Sequence, residues 1–177
     1  MNPARFGLLT GMIAMATVTR LLPHAPNFTP LLAMALFGGA CFSDKRAAFL
    51  VPLTGMFLSD LVLGFHALMP IVYGSFALIV CLGFWLSRHR GTLQVALAAT
   101  ASSLWFFVAT NGGVWAIGSM YPHTISGLSE CYVMAIPFFW TTLTSSLLYS
   151  ALLFGGLRLA EMRFSSLGEA PVPVGAN

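Results

Sequence analysis

Six apolar runs, each near the length of a membrane crossing, follow one another through residues 6–159, and only short polar or proline-rich segments part them. About 20 apolar residues in an α-helix span the roughly 30 Å hydrocarbon layer of a bilayer. The runs predict helices over 6–19 (reaching to 22), 28–42, 47–65, 68–86, 92–110 and 131–159. The first two are short for full crossings, which implies tilt, local thinning or a partly re-entrant first pair. The last is longer than a bilayer needs. Only 7% of residues are charged and 58% are hydrophobic, whereas soluble domains carry about a quarter charged residues. Lipid is the solvent that such a chain fits. Its 177 residues leave no room for a separate soluble domain. The expected architecture is all-α, a polytopic six-transmembrane-helix bundle over residues 1–164. A Pro/Gly/Ala-rich cytoplasmic tail, 165–177, is expected to be disordered.

The basic residues then choose an orientation. With the N-terminus inside, Arg5, Lys45, Arg46, Arg88, Arg90, Arg158 and Arg163 fall on the cytoplasmic side and Arg20 alone falls outside. Seven against one is the positive-inside pattern, and it predicts both termini in the cytoplasm. The net charge of +3 is explained by this bias and is no nucleic-acid footprint. Arg5, the apolar stretch after it and Ala14-Met15-Ala16 resemble a secretory signal with its cleavage site. The apolar run continues past that point without a polar break, so a retained first helix is the expectation. Gly7-x-x-x-Gly11 within it has the spacing of a helix-packing face.

Several chemistries are excluded by motif. There is no G-x-x-x-x-G-K-[ST], hence no P-loop ATP site. H-E-x-x-H and G-x-S-x-G are also missing, so zincin-type and nucleophile-elbow hydrolases have no support. What topology does not explain gathers on the outer side: Arg20, His24, Asn27, Asp60, His66, Tyr73, Asn111, Trp115, Tyr121, His123, Glu130 and Tyr132. A pocket there, among the outer loops and helix ends, is the expected binding site. Asp60 lies within the third helix with no charge near it in sequence, and an intramembrane carboxylate is either a ligand-binding group or half of a structural pair, here with Arg20. His24, His66 and His123 are either a metal-binding trio or three interfacial histidines. Trp115, Tyr121 and Tyr132 are either belt anchors or ligand contacts. Asn111-Gly112-Gly113 reads as a flexible break ending the fifth helix. Of the three cysteines, Cys41 and Cys131 lie near opposite faces and cannot pair. Cys81 sits near mid-membrane, either as a small packing residue or as a soft ligand facing a cavity.

Arg20-Leu21-Leu22-Pro23-His24-Ala25-Pro26-Asn27-Phe28-Thr29-Pro30, Ala35-Leu36-Phe37-Gly38-Gly39-Ala40 and Ser59-Asp60-Leu61-Val62-Leu63-Gly64-Phe65-His66 resemble a family of small bacterial membrane proteins regarded as transporters. Tyr121-Pro122, Gly127-Leu128, Cys131-Tyr132 and Ala135-Ile136-Pro137-Phe138-Phe139 extend the likeness. That family is similar to the substrate-binding S-components of energy-coupling factor vitamin transporters, six-helix proteins with an outward-opening pocket. Within it the chain resembles the BtuM-type branch, which is associated with vitamin B12 and marked by a cysteine that coordinates the cobalt of cobalamin. Cys81, in Phe76-Ala77-Leu78-Ile79-Val80-Cys81-Leu82-Gly83, matches that cysteine.

The resemblance implies a multi-pass protein of the bacterial inner membrane. It would capture a corrinoid outside, ligate cobalt through Cys81, assist decyanation of cyanocobalamin and deliver the vitamin inward. His24, Asn27, Asp60, His66, Tyr73, Asn111, Trp115, Tyr121 and Tyr132 would surround the ligand. S-components carry Ala-x-x-x-Ala where this chain has Gly7-x-x-x-Gly11, which puts docking on a shared energising module in doubt. The residues leave two other readings open. One is a transporter of another vitamin or of a transition-metal ion, with Cys81 structural. The other is a membrane enzyme using Asp60 and a histidine as acid and base.

Overall fold

The structure, a computed structural model, describes residues 1–167. Six helices follow in order: α1 (Pro3–Leu21), α2 (Leu31–Cys41), α3 (Lys45–Leu63), α4 (Met69–Leu86), α5 (Thr92–Ile117) and α6 (Ile125–Arg163), with a 3-10 turn at Ser165–Leu167. Four of them, α3 to α6, are long and apolar enough to cross a membrane. The 19-residue α1 carries an arginine near each end, Arg5 and Arg20. The 11-residue α2 is too short to cross: at the helical rise it is about 16 Å long.

That short helix is the axis of the fold. All 11 of its residues are buried, and it packs against each of the other five helices. A helix that is apolar all round belongs inside a bundle, and α2 reads Leu-Leu-Ala-Met-Ala-Leu-Phe-Gly-Gly-Ala-Cys. Its small residues let neighbours come close. A Cβ on Gly39 would lie 2.1 Å from the Val80 carbonyl oxygen and 2.9 Å from Gly83 Cα. A Cβ on Gly38 would lie 2.4 Å from Pro52 Cγ, inside α3. Backbone-to-backbone contact through small residues is how helices associate where no hydrophobic drive separates helix from solvent. The outer surface is apolar as well: Leu97 on α5, Val133 on α6 and Val62 on α3 are 58%, 61% and 70% exposed.

The start of α1 and the residues that close α6 meet at one end of the bundle. Asn2 caps α1 by accepting from the Arg5 N–H at 2.7 Å, and its amide donates to the Ser166 carbonyl at 2.6 Å. The buried Arg5 guanidinium pairs with Glu161 of α6 at 2.5 Å and also donates to the Leu167 carbonyl. Arg5 is therefore not solvated. It joins the first helix to the last.

Several predicted boundaries move. α1 begins at Pro3 rather than at 6, because Asn2 and Pro3 supply an N-cap and a first-turn proline. α2 loses the residues from 28 to 30, since Pro30 is its N-cap. α3 begins at Lys45, capped by the Asp44 carboxylate, which accepts from Arg46 and Ala47 N–H. It stops at Gly64, whose φ of 95° suits glycine alone. α5 does not break at Asn111-Gly112-Gly113 but runs on to Ile117. There Asn111 bonds back to the Phe107 carbonyl at 2.8 Å, and Gly113 serves close packing, since a Cβ on it would strike Ile71 Cδ1 at 2.3 Å. α6 begins six residues earlier than predicted, with Thr124 accepting from the Gly127 N–H. In the predicted tail, 165–167 form the 3-10 turn tied to α1, and 168–177 lie outside the described residues. Gly7 and Gly11 face outward, and a Cβ on either would meet nothing within 4 Å, so among the described residues that pair packs no other helix.

The glycine contacts separate two predictions. Gly39→Val should destabilise the detergent-solubilised protein by about 1–3 kcal/mol through overpacking against backbone. Gly7→Val, which points into open space, should stay within about 0.5 kcal/mol. Thermal unfolding followed by circular dichroism measures both, and equal effects would contradict the axial role of α2.

Candidate functional site

Because α2 fills only part of the bundle's length, space remains above its N-terminus. A cavity of about 320 Å³ lies there. The segment from residue 22 to 30 arches over it. Pro26 and Asn27 make a tight turn in which the Phe28 N–H donates to the Ala25 carbonyl at 3.0 Å. Asn27 takes φ 62°, as the third position of a type II turn demands and as asparagine tolerates. This turn puts Asn27 and Thr29 on the cavity wall. The Gly64 turn after α3 does the same for His66 and Leu68.

The remaining wall comes from α5 and α6. Phe106, Phe107, Thr110, Asn111 and Val114 line it from α5, and Phe138, Phe139 and Thr142 from α6. Spacings of one, four, five and eight keep each set on one helical face. Phe107 and Phe139 meet edge to face at 5.2 Å between ring centres. The floor is the first turn of α2, Leu31 and Leu32, which has no side-chain cap. Unpaired helix-start N–H groups carry partial positive charge and suit an acceptor.

Beside the floor lies a buried charge pair. Arg20 of α1 bonds Asp60 of α3 at 2.6 Å. The same nitrogen, Nη1, also donates to Ser59 Oγ and to the Met56 carbonyl. Tyr73 of α4 donates to the other Asp60 oxygen at 2.8 Å. Both carboxylate oxygens are thus taken, and three helices are joined at one point. Of the two readings open for Asp60, the geometry displays the pair with Arg20. Asp60 does not line the cavity. Arg20 does, with every bond to α3 running through Nη1, so its remaining N–H groups can serve a ligand.

Of the residues singled out by sequence, Asn27, His66 and Asn111 line the cavity, with Arg20 beside them. Asp60 and Tyr73 stand behind Arg20. The others are not brought in. His24 bonds its own loop at Leu22, and His123 packs edge-on to Trp115 and contacts the Gly118 carbonyl. Trp115 donates to the Pro122 carbonyl, closing the turn between α5 and α6. Tyr121 belongs to that turn and does not line the cavity. Tyr132 donates to the Val108 carbonyl at 2.8 Å and braces Phe107 from outside. The trio of histidines is not assembled: among the described residues no three His, Cys, Asp or Glu side chains come together as a metal site.

Cys81 falls elsewhere. It is exposed on α4, on the outward stripe that also carries Leu78 and Trp85, and it does not line the cavity. The reason is register. The inward face of α4 is Ser75, Phe76, Ile79, Val80 and Gly83, and Cys81 lies about 100° around from Val80.

Sequence reading missed the phenylalanine walls. The doublets Phe106-Phe107 and Phe138-Phe139, each followed by a threonine one turn later, were the available signal. In an apolar helix they look like any lipid-facing residues.

The fold and site define an all-helical chain of membrane type with an amphipathic cavity at one end. It belongs to a family of unknown function, DUF6580, whose model matches residues 1–167. Neither the curated proteins nor the solved structures contain a match.

The pair sets a prediction. Asp60→Ala leaves the part-buried Arg20 cation unpaired and should cost about 3 kcal/mol, the low end for a buried pair because Arg20 also faces the cavity. Replacing both partners, Arg20→Leu with Asp60→Leu, should recover most of that loss. A double-mutant cycle by thermal unfolding measures the coupling. Additive single losses would mean that the two charges do not support each other.

Proposed function

We propose that this chain is a membrane-embedded substrate-binding protein of a transporter. It holds a small amphipathic organic molecule in the cavity above α2 for delivery across the bilayer. In this reading all six helices sit in the membrane as an S-component-like bundle in the bacterial inner membrane. Both termini are cytoplasmic and the cavity faces outward. The seven-to-one split of basic residues supports that orientation, and the pairing of Arg5 with Glu161 supports a shared side for the start of α1 and the end of α6.

The observation that carries the reading is the composition of the cavity wall. Phenylalanine faces on α5 and α6 offer an apolar slot, while Arg20, Asn27, His66, Asn111 and the open first turn of α2 converge as polar groups. A few convergent polar groups in an apolar pocket are the mark of a small-molecule site. Two features favour a ligand with an acceptor end, a carboxylate or carbonyl, directed at the helix start and Arg20. One is the partial positive charge there. The other is Arg20, whose N–H groups other than those of Nη1 remain to donate at the cavity wall. Its flat or apolar body would lie between the phenylalanines.

At about 320 Å³ the cavity is at the small end of ligand pockets, roughly 300–1,000 Å³. A corrin ring cannot be enclosed there without rearrangement. Cobalt ligation inside it also needs a sulfur that Cys81, on the outward stripe of α4, does not supply. The vitamin B12 reading therefore draws nothing from this arrangement, and the reading with Cys81 structural is favoured. An acid–base enzyme using Asp60 is disfavoured because both carboxylate oxygens are occupied.

Purified protein should be warmed with a panel of small vitamins and heterocyclic carboxylates, cyanocobalamin included. At a hundredfold excess over Kd a true ligand adds about 2.7 kcal/mol of stability. Thr142→Trp, which fills the cavity, should abolish the response, and Cys81→Ala should leave it intact. A wild-type protein that answers to nothing in the panel and retains no small molecule on native mass spectrometry overturns the reading. A cobalamin spectrum altered on binding, lost with Cys81→Ala but kept with Thr142→Trp, would move the site to the outer face of α4.

A further inference from the structure

The opposite end of the bundle holds a larger opening. Where α2 and α4 touch, Gly39 meets Val80 and Gly83 with no room for a side chain. Past this crossing the helices part, and a cleft of about 620 Å³ opens between the α2–α3 connection and the end of α4. Gly39 and Ala40 present almost no bulk to it, which keeps it open. Lys45, Arg88 and His89 stand around its rim, with Arg90 beside them. No carboxylate lines it among the described residues. Asp44, the nearest in sequence, has its Oδ1 engaged by the amides of Arg46 and Ala47.

A bias for basic residues at this end does not explain why they converge. Arg5 is spent on Glu161, and Arg46 and Arg163 lie outside the cleft. The residues inside it are also held. The Lys45 ammonium sits 6.0 Å from the centre of the Phe84 ring, and the His89 ring stacks on Trp85 at 5.5 Å. A wall of aromatics under Lys45 and Arg88, with no carboxylate lining the cleft among the described residues, is a receptor for an anion that has an apolar part.

We propose that this cleft binds the phosphate of an anionic ligand, with Lys45 and Arg88 as the principal cations and His89 as a further donor. A phospholipid headgroup and a soluble phosphate compound share that chemistry. The proposal is independent of the cavity at the other end.

Full-length protein in neutral detergent would be titrated with dioleoylphosphatidylglycerol by native mass spectrometry, and with inorganic pyrophosphate by calorimetry. Saturable binding of the first alone assigns a lipid headgroup, and of the second a soluble phosphate. In either case Lys45→Gln with Arg88→Gln should weaken binding roughly tenfold or more. Arg46→Gln with Arg163→Gln removes the same charge from the same end and should change it little. Ser43→Trp, at an exposed position on the cleft wall, should block binding with every charge in place. Equal losses in the two double variants would show a diffuse surface field only and overturn the proposal. So would undiminished binding in Ser43→Trp, or no saturable binding of either probe.

Discussion

The enclosure of α2 is the constraint on which the rest of the structure depends. An 11-residue helix with every residue buried cannot be lined up end to end with neighbours of 18 to 39 residues. It fills the middle of the bundle and leaves a void at either end. Its glycines and alanines set how near α3 and α4 approach, so the two voids are separated by a tight crossing. The cavity above its first turn and the cleft below its last are thus consequences of one short segment. The prolines at 23, 26 and 30 hold the chain out of helix before that segment begins.

Polar groups inside this bundle are not scattered. Most are engaged at specific seams, while the hydroxyls of Thr10 and Ser150 have no hydrogen-bond partner among the described residues. Arg20, Asp60 and Tyr73 join α1, α3 and α4 at the cavity end, and Arg5 with Glu161 joins α1 to α6 at the other. Between α5 and α6 the buried serines Ser102, Ser103, Ser145 and Ser146 return their hydroxyls to backbone carbonyls, and Ser146 reaches across to Ala99. In a low-dielectric interior each of these bonds offsets a desolvation cost, so they select one arrangement of helices more than they add stability. The charge pair behind the cavity also offsets part of the desolvation cost of an arginine standing at an apolar wall.

Much of this was legible in the residues. All six helices lie largely within their predicted spans, because long apolar runs need no partner to be recognised. The run that becomes α2 is already short for a crossing, and Pro30 trims its start further. Asn27, His66 and Asn111 were found because polar residues near helix ends stand out against an apolar background. Phe107 and Phe139 were not, because an aromatic in an apolar helix carries no mark of the side it faces. Gly113 was misread as a break because a glycine that ends a helix and one that admits a neighbour's Ile71 look the same in sequence.

The sequence alone determined the membrane-type composition, the helical class and the order of apolar runs and basic residues. All three follow from composition and order along the chain, which are local properties. Tertiary structure decided which helix is the axis, which faces turn inward and hence where Cys81 points. A cysteine one position from Val80 in a helix lies about 100° around it. That angle becomes inside or outside only when neighbouring helices have docked.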